Sequence, residues 1–450
     1  MKRLKSIQFM VLTVGGFCLN AAYANHSTTL HSLTDSEMSA ATGQALMSLT
    51  YISPKDNLNL ESQRTGISNP SSGGVGFYKL GLEGTLELNA NIKKLQLGCG
   101  GINGAGACDI DIDYLSLSGI SDTNTGRASS SAKLTNPFTE IAIRNPNSAS
   151  TREVLGFRVS SEKAEGLLTF GLENGPNKSG INSLSGYMEV AAAGGQVTVN
   201  SISGVCHSLS FSPSCTRGTG VDITGKATGT LCCDVGIASQ KYNLDINIPN
   251  KGVLSLPQQA ITGKRITSAP LTATAVVNGI QLSGTINPRL TSLGNIELGN
   301  KNLVGVLNNL MVDVTIDEDL GYFHKASLNG TPASLSLQAK DIMWPGTKSV
   351  AQQGWWLEFS NPIDIGDITP TNAVDIASNT LSATLSEVSK YLDRKPINCG
   401  LTVLSCVFSG TIDTGPMSLG ADAAVPMALA NLELVNQKFA PNCYGTLKFC

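Results

Sequence analysis

Apolar and polar side chains alternate in several segments of this chain. Between residues 80 and 92, Leu80, Leu86 and Ile92 share one parity, while Glu87 and Asn91 take the other. In an extended chain this alternation places apolar groups on one face of a strand and polar groups on the other. Further strand-like segments lie at 187–190, 197–199, 242–248, 271–282 and 335–337. The pattern predicts an elongated, mostly antiparallel all-β fold.

Turn signals separate these segments. Asn278-Gly279 follows Val277 and precedes Ile280, which predicts a type I′ hairpin turn because both central residues need positive φ. Asn329-Gly330 is a second turn candidate. Glycine is abundant at 47 residues and aromatic residues make up only 5%. Such a composition favours short strands and many turns over packed helices.

A helical stripe lies near the C-terminus. Leu381, Leu385, Val388 and Leu392 recur at intervals of four, three and four before Pro396. This spacing predicts an amphipathic helix that ends before the proline. We expect the helix to pack on a sheet rather than to bind a partner.

A second short helix is predicted at residues 33–44. The segment starts with good N-cap chemistry after Leu33, contains Met38, and meets Gly43 and Gln44 at its end, where Gly43 is a plausible C-cap. Chain ends are usually poorly ordered unless something ties them down. We therefore expect this segment to dock, either onto its own β body or onto a neighbouring subunit.

The first 24 residues predict a cleavable signal peptide. Three basic residues stand among the first five, an apolar run covers 7–17, and Ala22-Tyr23-Ala24 has the small residues that signal peptidase requires. Cleavage removes three bases and no acid, which changes the formal net charge from −3 to −6. The chain is therefore expected to be exported through the inner membrane.

The remaining chain offers little charge. Only 14% of the residues are charged and the balance is mildly acidic, so there is no electrostatic case for a nucleic-acid partner. No later run reaches the roughly 18 apolar residues of a transmembrane helix. We expect no transmembrane helix in the mature protein.

Cysteine spacing predicts disulfides. Beyond residue 24 the chain has the cysteines Cys99, Cys108, Cys206, Cys215, Cys232, Cys233, Cys399, Cys406, Cys443 and Cys450. Four local pairs are separated by seven or nine residues, which suits bridges that staple loops in an oxidising compartment. The adjacent Cys232 and Cys233 either bond each other or reach separately to Cys206 and Cys215. Zinc sites are disfavoured because Cys-x-x-Cys pairs are missing.

Candidate chemistry is sparse elsewhere. Asp109, Asp111 and Asp113 resemble half of a calcium loop, but Tyr114 stands where such a loop needs glycine. A strand with its isoleucines inward and its aspartates outward explains the same residues better. Because the sequence lacks a nucleophile elbow, a P-loop and a zinc-protease motif, we predict no enzyme activity and no cofactor or metal.

The three tryptophans form the best single candidate for a contact surface. Trp344, Trp355 and Trp356 lie close together, and exposed Trp could stack on a sugar ring or anchor a protein. Core packing is the favoured alternative. Adjacent Trp355 and Trp356 in a strand would point to opposite faces, so one of them would face outward.

Three segments carry a family resemblance. Residues 33–44, the block from 88–101 through 108–113, and residues 136–156 are similar to the Fil group of fimbria-associated surface proteins of gammaproteobacteria. The resemblance covers about the first 170 residues. It implies a structural or assembly protein of a surface filament, without catalytic residues to transfer. The chain is much longer than an ordinary single-sandwich pilin.

Together these observations predict four regions and a function. The regions are a signal peptide at 1–24, a motif segment with a short helix at 25–55, a β-rich body at 56–345, and a C-terminal β region at 346–450. The expected function is a fimbrial subunit at the cell surface that associates with itself or with other subunits, while periplasmic or outer-membrane association is an alternative location. The alternative functions are an adhesin that binds a host or surface glycan, and a secreted hydrolase.

Overall fold

β-Strands make up most of the computed structural model. It describes residues 47–64, 74–172, 179–207, 215–430, 432–435 and 437, except the side chains of residues 232, 233, 318, 322 and 407. The strands in chain order are β1 (Met47–Ile52), β2 (Val75–Leu82), β3 (Thr85–Leu88), β4 (Ala90–Leu97), β5 (Ile110–Ser118), β6 (Ala132–Arg144), β7 (Glu153–Thr169), β8 (Ile181–Val190), β9 (Ala193–Val197), β10 (Ile202–His207), β11 (Arg217–Gly218), β12 (Ile223–Gly229), β13 (Cys232–Asn247), β14 (Gly252–Leu256), β15 (Gln259–Ile266), β16 (Ser268–Val277), β17 (Ile280–Leu290), β18 (Ile296–Glu297), β19 (Lys301–Asn308), β20 (Leu310–Asp319), β21 (Lys325–Gln338), β22 (Gly354–Ile363), β23 (Ile397–Asn398), β24 (Thr411–Ser418) and β25 (Val425–Leu429). The all-β prediction is confirmed.

The described part of the chain has four α-helices, most of them short. They are α1 (Leu60–Gln63), α2 (Asn124–Ala128), α3 (Ser378–Arg394) and α4 (Leu404–Phe408). The helix predicted from the apolar stripe is α3. Its Leu381, Leu385, Val388 and Leu392 are all buried, which confirms the expectation that it packs on a sheet. Pro396 explains its end, because a proline disfavours helical backbone in the preceding residue. Within the described residues no helix is long and apolar enough to cross a membrane.

The strands form three sheets. Sheet 1 has the order β1-β2-β6-β7-β21-β22-β8-β5-β4, with β3 beside β6, β15 beside β8, and a further pairing of β5 with β7. Sheet 2 follows β11-β10-β13-β17-β19-β24, with β12, β18 and β23 attached, and sheet 3 follows β25-β20-β16-β14-β9. Most neighbours are antiparallel, as predicted, although β22 and β8 run parallel.

Sheets 2 and 3 share an apolar interior with α3. Leu244 and Leu307 of sheet 2, Leu254 of sheet 3, and Leu385 of α3 are at most 2% exposed. Side chains from both sheets and from the helix also line a cavity of about 60 Å³. The interior is therefore a packed apolar core with a small gap beside the helix.

The predicted hairpin at Asn278-Gly279 is wrong. Strand β16 pairs with β14 and β20 in sheet 3, whereas β17 pairs with β13 and β19 in sheet 2. Asn278-Gly279 is a corner that carries the chain from one sheet to the other. Gly279 adopts φ +72°. The glycine therefore has the positive φ that the sequence predicts, but in a corner between two sheets rather than in a hairpin turn.

A neighbouring corner explains why the hairpin does not form. The chain crosses in the opposite direction between β19 and β20, where Asn309 has φ +56°. The Asn309 amide donates to Asn278 Oδ1 at 2.7 Å, and the Gly279 amide donates to Asn308 Oδ1 at 2.9 Å. Side-chain amides thus tie the two corners together and satisfy the backbone donors of both.

The other turn candidate also needs correction. Asn329-Gly330 lies inside β21, where the register with β7 shifts at a bulge. The predicted boundary at 345–346 does not separate two folding units, because β22, β24 and β25 complete the same sheets as the preceding strands. The described residues belong to one compact unit.

The apolar side chains that alternate along residues 80–92 do not form a buried face. The segment is divided among β2, β3 and β4, and Leu80, Leu86 and Ile92 remain 38–44% exposed. In β4 the buried side chain is Asn91, at 5% exposed. The alternation is real, but Leu80, Leu86 and Ile92 lie on the more exposed side of their strands or in a strand that is exposed on both sides.

Candidate interaction surface

Local disulfides are present as predicted wherever the structure describes the pair. The bridges are Cys99–Cys108, Cys206–Cys215 and Cys399–Cys406. Because Cys206 and Cys215 bond each other, the alternative that links them to Cys232 and Cys233 is wrong. The side chains of Cys232 and Cys233, together with Cys443 and Cys450, lie outside the described residues, as does the predicted docking segment with Leu33, Met38, Gly43 and Gln44.

The tryptophans do not form an exposed contact surface. Trp344 and Trp356 are 1% and 2% exposed, and they pack with Phe77 on one side of sheet 1. Trp355 points to the opposite side and is half-buried. Two of the three rings are therefore unavailable for stacking on a ligand, and the core alternative is confirmed for Trp344 and Trp356.

The Asp-x-Asp-x-Asp run is part of the fold. Ile110 and Ile112 of β5 are 1% exposed, and Lys94 Nζ lies 2.9 Å from Asp113 Oδ1. Asp109 departs from the expected outward direction because it is buried, where it accepts hydrogen bonds from Arg265 Nε at 2.9 Å and from the Trp355 amide at 3.0 Å. Among the described residues no group of three or more His, Cys, Asp or Glu is placed to hold a metal ion.

Sheet 1 buries a polar face between β6 and β22. Glu140, Arg158, Gln338 and Glu358 are at most 4% exposed there. Arg158 Nε donates to Glu140 Oε2 at 2.9 Å, and Arg158 Nη2 donates to the carbonyl of Pro345 at 3.0 Å. These contacts place the ionic groups under the segment that joins β21 to β22.

The same connecting segment satisfies the other buried polar groups. The Lys348 amide donates to Glu358 Oε1 at 2.8 Å, and Gln338 Nε2 donates to the Gln352 carbonyl. Burial raises the pKa of Glu140, an effect that the nearby Arg158 opposes. Buried polar groups are costly unless they are paired, so this segment is a specific cover for the polar face.

The opposite face of the same strands is apolar and open. We define the apolar face as two rows of directly paired residues that cross β1, β2, β6, β7, β21 and β22. The first row is Tyr51, Tyr78, Ile141, Phe157, Leu337 and Trp355, and the second is Leu49, Leu80, Thr139, Val159, Leu335 and Leu357. Directly opposite residues of paired strands share a face, so each row is a continuous line of neighbouring side chains.

Both rows of the apolar face are half-buried at β22, and the most exposed residue of the second row lies in β1. Leu335, Trp355 and Leu357 are half-buried and pack against the main core. Further out, Val159 is 45% exposed and Leu49 is 74% exposed. The apolar face therefore begins at the core and extends beyond it into solvent.

No residue of the apolar face carries a charge, and its side-chain polar atoms are the hydroxyls of Thr139 and the two tyrosines and the indole nitrogen of Trp355. The Tyr51 and Tyr78 rings stack with their centroids 4.5 Å apart. Large exposed apolar patches on proteins mark interaction sites. The chemistry that this surface offers is burial of apolar area rather than bond making or proton transfer.

Sequence reasoning missed the apolar face because the local pattern suggests the opposite orientation. Phe157-Arg158-Val159 is expected to turn its two apolar side chains inward, yet Arg158 is the buried member. The signal that could have found the reversal is the connecting segment 345–353, whose hydroxyl, amide and glycine residues suit a polar cover.

Comparison with known proteins adds no further assignment. No family model, curated protein or solved structure matches this chain. The apolar face is therefore interpreted from its own geometry.

Proposed function

We propose that this protein is a structural or assembly subunit of a bacterial surface fibre and works by protein association. The observation that carries the proposal is the apolar face, which is continuous with the core, uncharged and open. Transferring apolar area from water into a protein contact is the main driving force of association. The fimbrial context is supported by the predicted signal peptide and by the resemblance of residues 33–44, 88–113 and 136–156 to fimbria-associated proteins.

An export route is part of the same proposal. The local disulfides at Cys99–Cys108, Cys206–Cys215 and Cys399–Cys406 suit an oxidising compartment. They close loops at the ends of strands, and none of these cysteines belongs to the rows of the apolar face. The cell surface is the location that combines export with a large apolar contact.

The test places a charge on the apolar face in the bacterium that makes the protein. Val159→Lys is expected to remove the protein from the sheared surface-fibre fraction, because a lysine buried in an apolar contact must lose its hydration. Val253→Lys is the matched control, since Val253 is 61% exposed on β14 of sheet 3. An unchanged amount of Val159→Lys protein in the fibre fraction would contradict the proposal.

A further inference from the structure

We infer that the apolar face is the contact between two copies of this chain, which stack sheet on sheet. The inference deepens the proposed function and rests on it for the biological setting. It names the partner as a second, identical apolar face. Two arguments favour that partner, one from charge and one from area.

The absence of charge limits what the apolar face can recognise. Because both rows are uncharged, two copies can bury them against each other without burying an unpaired charge. Interfaces that select a different protein commonly use complementary charges for that choice. The apolar face has none, whereas the ionic residues Glu140, Arg158 and Glu358 of the same strands are covered on the other side. A self-complementary apolar surface is what an isologous contact requires.

The apolar face is large enough for a dimer contact. Six strands spaced about 4.8 Å apart give a width of about 29 Å, and side chains repeating about every 6.8 Å give roughly 20 Å along the strands when flanking residues are included. The face together with its flanking residues then covers on the order of 600 Å² per copy, which reaches the upper limit for a patch on a typical monomer. Two faces together bury about 1,200 Å², within the range of specific interfaces.

The geometry of the sheet also suits stacking. Two twisted sheets pack face to face about 10 Å apart with their strands roughly aligned, as in a sandwich. Leu49 and Leu80 form a directly opposed pair at the outer end of the face, and Val159 lies near its centre. In the described residues β1 pairs only with β2, so Leu49 lies at the edge of the sheet as well as on the apolar face.

The experiment measures self-association of the purified mature protein by sedimentation equilibrium between about 1 and 100 µM, a range that covers typical micromolar affinities. The full mature chain is expected to dimerise. Val159→Lys should weaken dimerisation at least about 100-fold, because burying a lysine without a partner lowers affinity by more than that factor.

Leu49→Lys is the second variant. It lies on the edge strand and is 74% exposed, so it leaves the fold intact. Val253→Lys is the control and should dimerise like the unaltered chain.

Mixing opposite charges identifies the partner as a second copy. Val159→Lys and Val159→Asp chains should each be monomeric, and an equimolar mixture should regain dimers because the two faces then carry complementary charges. Dimerisation of the unaltered chain should persist in 0.5 M NaCl, where exposed ion pairs are screened over about 4 Å.

Three outcomes would overturn the inference. A monomeric mature chain at every concentration would show that a second copy does not cover the face, and the proposed function would still stand if Val159→Lys is lost from the fibre fraction. Dimers that survive Val159→Lys and Leu49→Lys would place the contact elsewhere. A monomer that dimerises only after deletion of residues 25–46 would show that the chain's own N-terminal segment covers the face. Conversely, dimers through the apolar face without any fibre fraction would support the inference and contradict the proposed function.

Discussion

Arg158 shows how a single buried charge organises its surroundings. Its guanidinium donates to Glu140 Oε2 and to the Pro345 carbonyl, and the guanidinium carbon Cζ lies 5.3 Å from the centre of the Trp344 ring. One residue thus connects two strands of sheet 1 to the segment that covers them. Replacing one partner of such a pair leaves the other buried without compensation, which is the costly change at a buried ion pair.

We predict that Arg158→Met lowers the free energy of unfolding by about 3 kcal/mol at pH 7. Arg144→Met, which breaks the more exposed pair of Arg144 with Glu153 at 2.8 Å, should change it by less than about 1 kcal/mol. Urea unfolding of both variants measures the difference. Equal losses in the two variants would show that the buried ion pair contributes no more to the free energy of unfolding than the exposed one.

The pH dependence of Arg158→Met has a predictable sign. Burial already raises the pKa of Glu140, and Arg158 opposes that rise, so removing Arg158 raises the pKa further. A carboxyl whose folded-state pKa exceeds its unfolded value binds more protons when folded, so stability falls as the pH rises through that folded pKa. The loss in Arg158→Met should be smaller at pH 4.5 than at pH 8. Urea midpoints at the two pH values check this, and a larger loss at pH 4.5 would contradict it.

Helix α3 is the element whose sequence pattern and structure agree best. Its apolar stripe turns inward, and Leu385 lines both the cavity of about 60 Å³ and a second cavity of about 30 Å³. The gaps lie where one helix must fill the space between two sheets. A smaller side chain at this place would enlarge cavities that are already present.

We predict that Leu385→Ala lowers the free energy of unfolding by about 3 to 5 kcal/mol, since the deleted methyl groups leave an added cavity. Lys390→Ala on the same helix is the control, because the Lys390 side chain is 67% exposed, and it should change stability by less than about 0.5 kcal/mol. Thermal or urea unfolding measures both. A loss under 1 kcal/mol in Leu385→Ala would show that the sheets close around the gap.

Local elements could be predicted from the sequence, whereas the orientation of sheet 1 could not. The stripe of α3 and the strands around Tyr187 and Leu335 depend on periodicity, which is a property of neighbouring residues. Whether Phe157 or Arg158 faces the interior depends on the segment around Trp344, about 190 residues away in sequence. Periodicity identifies the two faces of a strand but not which one is covered.

The same limit explains the corners between sheets. The positive φ at Gly279 follows from the residue type, but a hairpin and a corner between sheets both need it. The choice depends on Asn308 and Asn309, which bind the corner from another crossing of the chain. Of the three tryptophans that the sequence singles out, only Trp355 belongs to the apolar face, and the rest of that face needed the strand register.

At the scale of the whole molecule, the disulfides are local supports of a fold held mainly by its sheets. The described bridges close loops with sequence separations of seven or nine residues. Loops of this size restrict the unfolded chain by about 2 to 3 kcal/mol each in the chain-entropy model. We predict that Cys399→Ser with Cys406→Ser lowers the free energy of unfolding by about that amount while the apolar face still functions. Urea unfolding and sedimentation of the double variant check both parts, and loss of dimers in a folded variant would contradict the second.

The number of free thiols tests both the disulfides and the predicted cleavage. The whole chain has eleven cysteines, an odd number, and cleavage after residue 24 removes Cys18 and leaves an even number. With Cys206 bonded to Cys215, we expect Cys232 and Cys233 to bond each other and Cys443 to bond Cys450. Protein isolated from the periplasm or cell surface should therefore show no free thiol in denaturant without reductant. One thiol per chain would mean that Cys18 is retained and the signal peptide is not cleaved, while two or more would contradict complete pairing. Mass spectrometry of the unreduced digest assigns the pairs and distinguishes these results.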